Sequence, residues 1–277
     1  MNRRYSIAVS LCLLFVPVVS FAQLSKTLTD PYSAGNTLLS KGEYNKAIAA
    51  YTEAILGDPK QARAYYGRGL AYGATRKFDE AIADYTEAIR LDPKLAPAYQ
   101  SRGKAHLEKR HADQALADCN TAIRLDPNLP LAYVYRGMVF EYERDLDKAI
   151  ADYTTAIQLS PNLPVIYSTR ARAYEVKGDF IKASADLSEV IRQSPADTRG
   201  YLRRANAYLQ GQEYDKALAD CNRVLQLDPQ NSEAYMTRAI VFNRKGDKTK
   251  ASEDIERGLE LGRKSRKSES GKAGGSR

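Results

Sequence analysis

Apolar residues recur along this chain with a helical period, in stretches such as Ala81-Ile82-Ala83-Asp84-Tyr85-Thr86-Glu87-Ala88-Ile89. Proline cuts these stretches at a fixed interval. Pro59, Pro93, Pro127, Pro161, Pro195 and Pro229 follow one another every 34 residues, and each comes after Asp or Ser (Asp58, Asp92, Asp126, Ser160, Ser194, Asp228). A proline just past a helix cannot continue it, so the pattern predicts helices stopped at equal intervals.

Ending each unit two residues after its proline gives seven units, 28–61, 62–95, 96–129, 130–163, 164–197, 198–231 and 232–265. Other positions then fall into register. The fourth is Tyr65, Tyr99, Tyr133, Tyr167, Tyr201 and Tyr235, and the eighth is Gly35, Gly69, Gly103, Gly137, Ala171, Ala205 and Ala239. The twentieth is alanine throughout, Ala47 to Ala251, and the twenty-fourth is Tyr51, Tyr85, Cys119, Tyr153, Leu187, Cys221 and Ile255. Small residues at the eighth and twentieth positions let two antiparallel helices of one unit cross closely, and the larger ones fill the space between units.

This register resembles the tetratricopeptide repeat family, over 28–265, with tyrosine where the family carries tryptophan at the fourth position. The resemblance implies an all-α fold, a right-handed α-solenoid of seven helix-turn-helix repeats whose first helices line a concave groove. The ends depart as caps should. Unit 28–61 has Asp30-Pro31 where the aromatic belongs, and unit 232–265 lacks the final proline and has Lys248 and Glu253 where others are apolar or alanine. Its second helix is expected to be the solvated end of the stack.

One recurring pair is additional to that pattern. The seventh position is Arg68, Arg102, Arg136, Arg170, Arg204 and Arg238, and the twenty-third is Asp84, Asp118, Asp152, Asp186, Asp220 and Asp254. Both are missing from the first unit, which has Ala34 and Ala50. Charges that occur together and vanish together predict a structural Arg–carboxylate bridge in each unit. A basic ladder for an acidic ligand is the competing reading, but an arginine committed to its aspartate has little left for a ligand.

The family's groove positions map onto Tyr66, Leu70, Val134, Tyr135, Met138 and Tyr142, flanked by Arg63, Lys104, Arg172, Arg199, Arg203 and Arg244 against Glu108, Glu141 and Glu175. Such a mixed surface suits an extended or helical peptide. The Lys/Asn/Arg clamp of chaperone-binding members is not assembled on consecutive repeats.

Composition narrows the chemistry further. Three cysteines and two histidines are too few for a disulfide framework or a ligand-rich metal site. Cys119 and Cys221 are equivalent positions three repeats apart, roughly 25–30 Å if helices pack 8–10 Å from each other. A disulfide requires Cα atoms within about 7 Å, so they read as buried fillers. His106 occupies the slot of Tyr72, Tyr174 and Tyr208, and His111 lies in a turn, neither with a second ligand at metal spacing. No catalytic triad, phosphate loop or paired-carboxylate motif is present, so the expectation is a non-catalytic protein without cofactor, metal or small-molecule substrate.

The N-terminus reads as an export signal: Arg3 and Arg4, an apolar run from Ile7 to Val19, then Ser20-Phe21-Ala22 before Gln23. Cleavage is expected after Ala22, leaving a short leader 23–27 and a secreted or periplasmic protein that meets the membrane only through its signal. The run is too short, and Pro17 too disruptive, for a span of about 20 residues. The segment 263–277, with six basic residues and one acid, is expected to be a disordered basic tail. The net charge of +8 resides mostly in these ends: the signal carries +2, the tail +5, and 23–262 holds 34 basic and 33 acidic residues. The expected function is a protein-binding scaffold. The alternative is polyanion binding through the tail, and an export signal argues against chromosomal DNA.

Overall fold

A computed structural model describes residues 30–273. The expected signal peptide 1–22 with its cleavage after Ala22, the leader 23–27 and the last four residues lie outside the described residues. Within them the chain forms fourteen helices and no strand: α1 (Pro31–Ser40), α2 (Tyr44–Gly57), α3 (Ala62–Ala74), α4 (Phe78–Leu91), α5 (Ala96–Glu108), α6 (Ala112–Leu125), α7 (Pro130–Tyr142), α8 (Leu146–Leu159), α9 (Pro164–Lys177), α10 (Phe180–Gln193), α11 (Thr198–Gln210), α12 (Tyr214–Leu227), α13 (Ser232–Arg244) and α14 (Lys248–Ala273). They pack as seven consecutive pairs, each pair also against the next. First helices of neighbouring repeats approach one another, α1 with α3, α3 with α5, α5 with α7 and α11 with α13, whereas second helices do not to a comparable extent. The stack therefore bends with its first helices on the inside. No described helix is long and apolar enough to cross a membrane.

Each pair is closed by the same turn. The residue after the first helix's last turn has positive φ in every repeat: Gly42, Arg76, Arg110, Arg144, Gly178, Gln212 and Gly246. The following amide reaches back five residues to a helix carbonyl, as Lys77 N–H does to Tyr72 C=O at 2.9 Å and Asp179 N–H to Tyr174 C=O at 2.9 Å. This left-handed cap satisfies carbonyls that a helix end leaves open. The second helix ends at the Asp-Pro or Ser-Pro step, where Asp58, Asp92, Asp126 and Asp228 accept the amide two residues on at 2.9–3.1 Å.

Packing within a pair depends on the twenty-fourth residue. Tyr51, Tyr85 and Tyr153 are 0–3% exposed. Each lies over the glycine at the eighth position of its own first helix, where a Cβ would come within 2.6–2.7 Å of the ring. Repeats with Leu187, Cys221 or Ile255 carry alanine there instead. Burial holds the Cys119 and Cys221 thiols neutral, pushed up to about 12.

The seventh-position arginine joins three helices. Arg136 Nε and Nη2 donate to both oxygens of Asp152 at 2.8 Å, and Nη1 donates to Asn120 of the preceding repeat at 2.9 Å. The same fork holds Arg68 to Asp84 and Thr52, Arg102 to Asp118 and Thr86, Arg170 to Asp186 and Thr154, Arg204 to Asp220 and Ser188, and Arg238 to Asp254 and Asn222. The fourth-position tyrosine lies under most of these guanidiniums, as Tyr133 does under Arg136 at 5.5 Å. The first described repeat, with Ala34 and Ala50 at these two positions, lacks the fork.

One expectation changes at the C-terminus. The segment from 263, expected as disordered, continues α14 as helix through Ala273. The proline that ends the other second helices is Arg263 here, and Glu260 pairs with both Arg257 and Lys264 along the helix. The outer face of α14 is exposed as expected, but it is not uniformly polar: Ile255 and Leu259 stand in solvent.

Removing one partner of the fork should leave a buried charge. Arg136→Met is expected to lower stability by about 3 kcal/mol in urea unfolding followed by circular dichroism. The double variant Arg136→Met with Asp152→Leu should lose less than that, and an equal or larger loss would contradict this account of the pair.

Candidate functional site: an aromatic recess on the inner surface

Position 6 of each first helix faces position 24 of the repeat before it. Gly67 lies so close to Tyr51 that a Cβ would come within 2.5 Å of the ring. The two positions therefore trade volume: Tyr51 meets Gly67, Tyr85 meets Ser101, and Tyr153 meets Thr169. The remaining junctions pair Cys119 with Tyr135, Leu187 with Arg203 and Cys221 with Thr237, so a large residue stands at position 6 only where position 24 is not tyrosine. Tyr135 takes up room that the small thiol leaves, and burial pushes its phenol up to about 12.

Beside Tyr135 lies a recess of about 590 Å³ between α3, α5 and α7, with Phe78 and Tyr85 of α4 in its wall. Its apolar walls are Tyr66, Leu70, Phe78, Tyr85, Leu131 and Tyr135, and Arg76, Gln100, Ser101, Lys104 and Glu108 supply its polar rim. The Tyr66 and Tyr85 rings are 5.9 Å apart at 45°, and the Tyr66 hydroxyl lies 3.5 Å from that of Ser101. Burial raises the Tyr66 and Tyr85 phenols, so the floor is neutral. Lys104 and Glu108 are exposed and have no ion-pair partner among the described residues; Arg76 sits over the Phe78 ring at 5.5 Å, also without a carboxylate. Arg63 is exposed at the start of α3, outside the recess.

Further along the inner surface the charges neutralise each other. Glu141 accepts from Arg172 Nε and Nη2 at 3.0 and 3.2 Å and from the Tyr153 hydroxyl at 3.0 Å. Glu175 accepts from Arg203 Nη2 at 3.1 Å, while Arg203 Nη1 donates to the Ser168 carbonyl at 3.3 Å. Arg199 is taken by Asp197. Arg172 and Arg203, expected as ligand-facing bases, are thus bound to carboxylates, each across a repeat junction.

Of the expected groove residues, the structure brings Tyr66, Leu70, Lys104 and Tyr135 together. Val134 is a correction: it is only 5% exposed and packs with Tyr153 and Ile166 in the core. Met138 is half-buried against the same cluster, and Tyr142 is 66% exposed on the rim of α7. Phe78, Tyr85, Leu131 and Arg76 line the recess without having been anticipated. The sizes of neighbouring position-24 and position-6 residues carried the signal, because the exchange of Cys119 and Tyr135 is visible once adjacent units are compared.

Four family models described as tetratricopeptide repeat match the chain, at 32–96, 96–129, 130–163 and 198–231. No curated protein matches it. Among solved structures, the C-terminal part of a tetratricopeptide repeat protein from Cytophaga hutchinsonii superposes with TM-score 0.67 at 20% identity, covering 83% of this chain and 95% of that one. MamA from Desulfovibrio magneticus gives 0.55 at 21%, over 61% and 96%. YrrB, described as a tetratricopeptide repeat protein with an unusual peptide-binding site, gives 0.55 at 20%, over 67% and 95%.

His106 tests how this surface tolerates a polar ring. Its Nδ1 is buried without a hydrogen-bond partner, while Nε2 lies 3.9 Å from Asp118. Burial lowers its affinity for a proton, outweighing Asp118. The unfolded chain therefore takes up a proton that the folded chain resists, and stability should fall as pH drops below about 6.5. His106→Phe, the residue of the equivalent Phe140 and Phe242, should add about 1 kcal/mol and flatten that dependence in urea titrations between pH 5 and 8. An unchanged pH profile would count against the assignment.

Proposed function

Since the chain belongs to the tetratricopeptide repeat family, we propose that it is a non-catalytic scaffold that binds a segment of a partner protein along the inner surface of its first helices. The observation that supports this most is the recess between α3, α5 and α7, where an apolar hollow is bordered by Lys104 and Arg76 without carboxylate partners. A bulky apolar side chain would fill the hollow, and an acidic residue beside it would meet the two bases. The neighbouring arginines are already satisfied by Glu141 and Glu175, so the acidic preference belongs to this end of the surface. The peptide-binding description of YrrB agrees with such a use of the fold.

The proposal includes export to a periplasmic or extracellular compartment, supported by Arg3-Arg4, the apolar run to Val19 and the small residues Ser20 and Ala22. N-terminal sequencing of the exported protein is expected to begin at Gln23, and retention of Met1 would refute processing.

A peptide array that varies one bulky apolar residue flanked by Asp or Glu would reveal the preferred segment. By fluorescence anisotropy, Leu70→Glu and Lys104→Glu should each weaken the best peptide about tenfold or more, equivalent to roughly 1.4 kcal/mol. Arg172→Ala should leave binding within about twofold, because its guanidinium serves Glu141. Unchanged affinity in the first two variants would place the site elsewhere.

A further inference from the structure

The seven repeats provide an internal comparison for each other's surfaces, and one surface fails it. At position 24 the residues from Tyr51 to Cys221 are 0–3% exposed because the next repeat covers them, whereas Ile255 in the same position is 42% exposed. Beside it Leu259 is 48% exposed on α14, and Met236 and Ile240 are 36% and 48% exposed on α13. Ile255, Met236 and Ile240 border a hollow of about 700 Å³ that also touches Arg244 and Lys248, and Leu259 lies one turn further along α14, outside its lining. The other end of the stack is finished differently. Where inner repeats carry alanine, glycine or isoleucine at position 3 and alanine or valine at position 10, the first repeat has the exposed Asp30 and Thr37. One end is closed by polar groups, and the other retains the apolar residues of an interior junction at positions 24 and 28.

We infer that the C-terminal face is the contact surface of a homodimer, in which two copies meet tail to tail through α13 and α14. Three observations select this occupant. The chain's own continuation is led away, since α14 runs on as helix and Ala273 lies about 21 Å beyond Leu259 at 1.5 Å per residue. The N-terminal end of another copy fits poorly, because in the register of the inner junctions, where position 3 packs on position 28, it would bury the Asp30 carboxylate against Leu259, and it offers Ala34 where inner junctions offer arginine.

The third observation is charge. Position 25, which in inner repeats gives the next arginine a neutral oxygen from Thr52, Thr86, Asn120, Thr154, Ser188 or Asn222, is Glu256. Glu256, Arg244 and Lys248 have no ion-pair partners among the described residues. The face thus has bases at one end, an acid further along α14 and apolar residues between. A twofold axis that sets the two α14 helices antiparallel places Glu256 of one copy towards Lys248 and Arg244 of the other, and covers Ile255 and Leu259. A self-complementary face of this kind closes as a dimer and does not propagate.

Sedimentation equilibrium of the purified protein tests this. The mass should rise from that of a single chain towards twice that value as concentration increases from about 1 to about 100 µM. Ile255→Asp with Leu259→Asp, at exposed positions that leave the helical spectrum unchanged, should raise the dissociation constant about 100-fold or more. Glu256→Lys should weaken the dimer, and adding Arg244→Glu with Lys248→Glu should restore it. A protein that stays monomeric at about 100 µM, including one whose tail face is instead occupied by a different protein, overturns the inference. So does a dimer indifferent to the Ile255 and Leu259 substitutions, or a charge reversal without rescue.

Discussion

A single guanidinium shared among three helices is the constraint on which this solenoid depends. The seventh-position arginine holds the aspartate of its own second helix through two parallel hydrogen bonds and reaches an oxygen of the preceding second helix with its remaining nitrogen. An apolar contact tolerates sliding along a helix, but a fork with three fixed acceptors does not. Each arginine therefore sets the crossing within its repeat and the offset to the previous one together. The aspartates are 5–6% exposed, so the geometry must be complete: a buried carboxylate without its fork costs more than the pair contributes over an apolar substitute. The bridge is better understood as a device for register than as a reservoir of stability.

Volume exchange works within that frame. Tyrosine at position 24 requires glycine at position 8 of its own repeat and a small residue at position 6 of the next, because its ring occupies both spaces. Protein interiors are dense enough that such choices are coupled. Where cysteine stands in place of tyrosine at residue 119, Tyr135 takes up the vacated room from the other side and forms part of the recess wall. The candidate binding site thus lies at a junction where a large position 6 residue, Tyr135, faces a small position 24 residue, Cys119. Electrostatics then distinguishes the two halves of the surface. Arg172 and Arg203 are neutralised across junctions, while Lys104 and Arg76 are left for something else.

A linear stack must end twice, and each end has to deal with a face that every inner repeat buries. The first repeat does so by substitution, with Asp30 and Thr37 in place of small apolar residues and no arginine at position 7. The last repeat alters different positions, Lys248 and Glu253, and retains Ile255 and Leu259. Its helix also runs past the point where the others stop, because the terminating proline is absent.

The sequence by itself determined the period, the number of repeats, the all-α pairing and the Arg–Asp partners, because each is a relation that recurs at fixed spacing. The resemblance to the repeat family added Tyr66, Leu70, Lys104 and Tyr135 as inner-surface positions. What the tertiary structure alone decided are relations between repeats. The third hydrogen bond of each arginine was hidden by its varied acceptors, threonine, asparagine or serine, which share only an oxygen in the right place. The left-handed turn was hidden because glycine fills it in three repeats and Arg76, Arg110, Arg144 and Gln212 in the others. Val134, a groove position by the repeat pattern, is buried, and Arg172 and Arg203 are held by Glu141 and Glu175, because burial and pairing depend on what the adjacent repeat presents. A periodic sequence states what each unit contains; the stacking of unlike neighbours decides which of those side chains remain in reach of a partner.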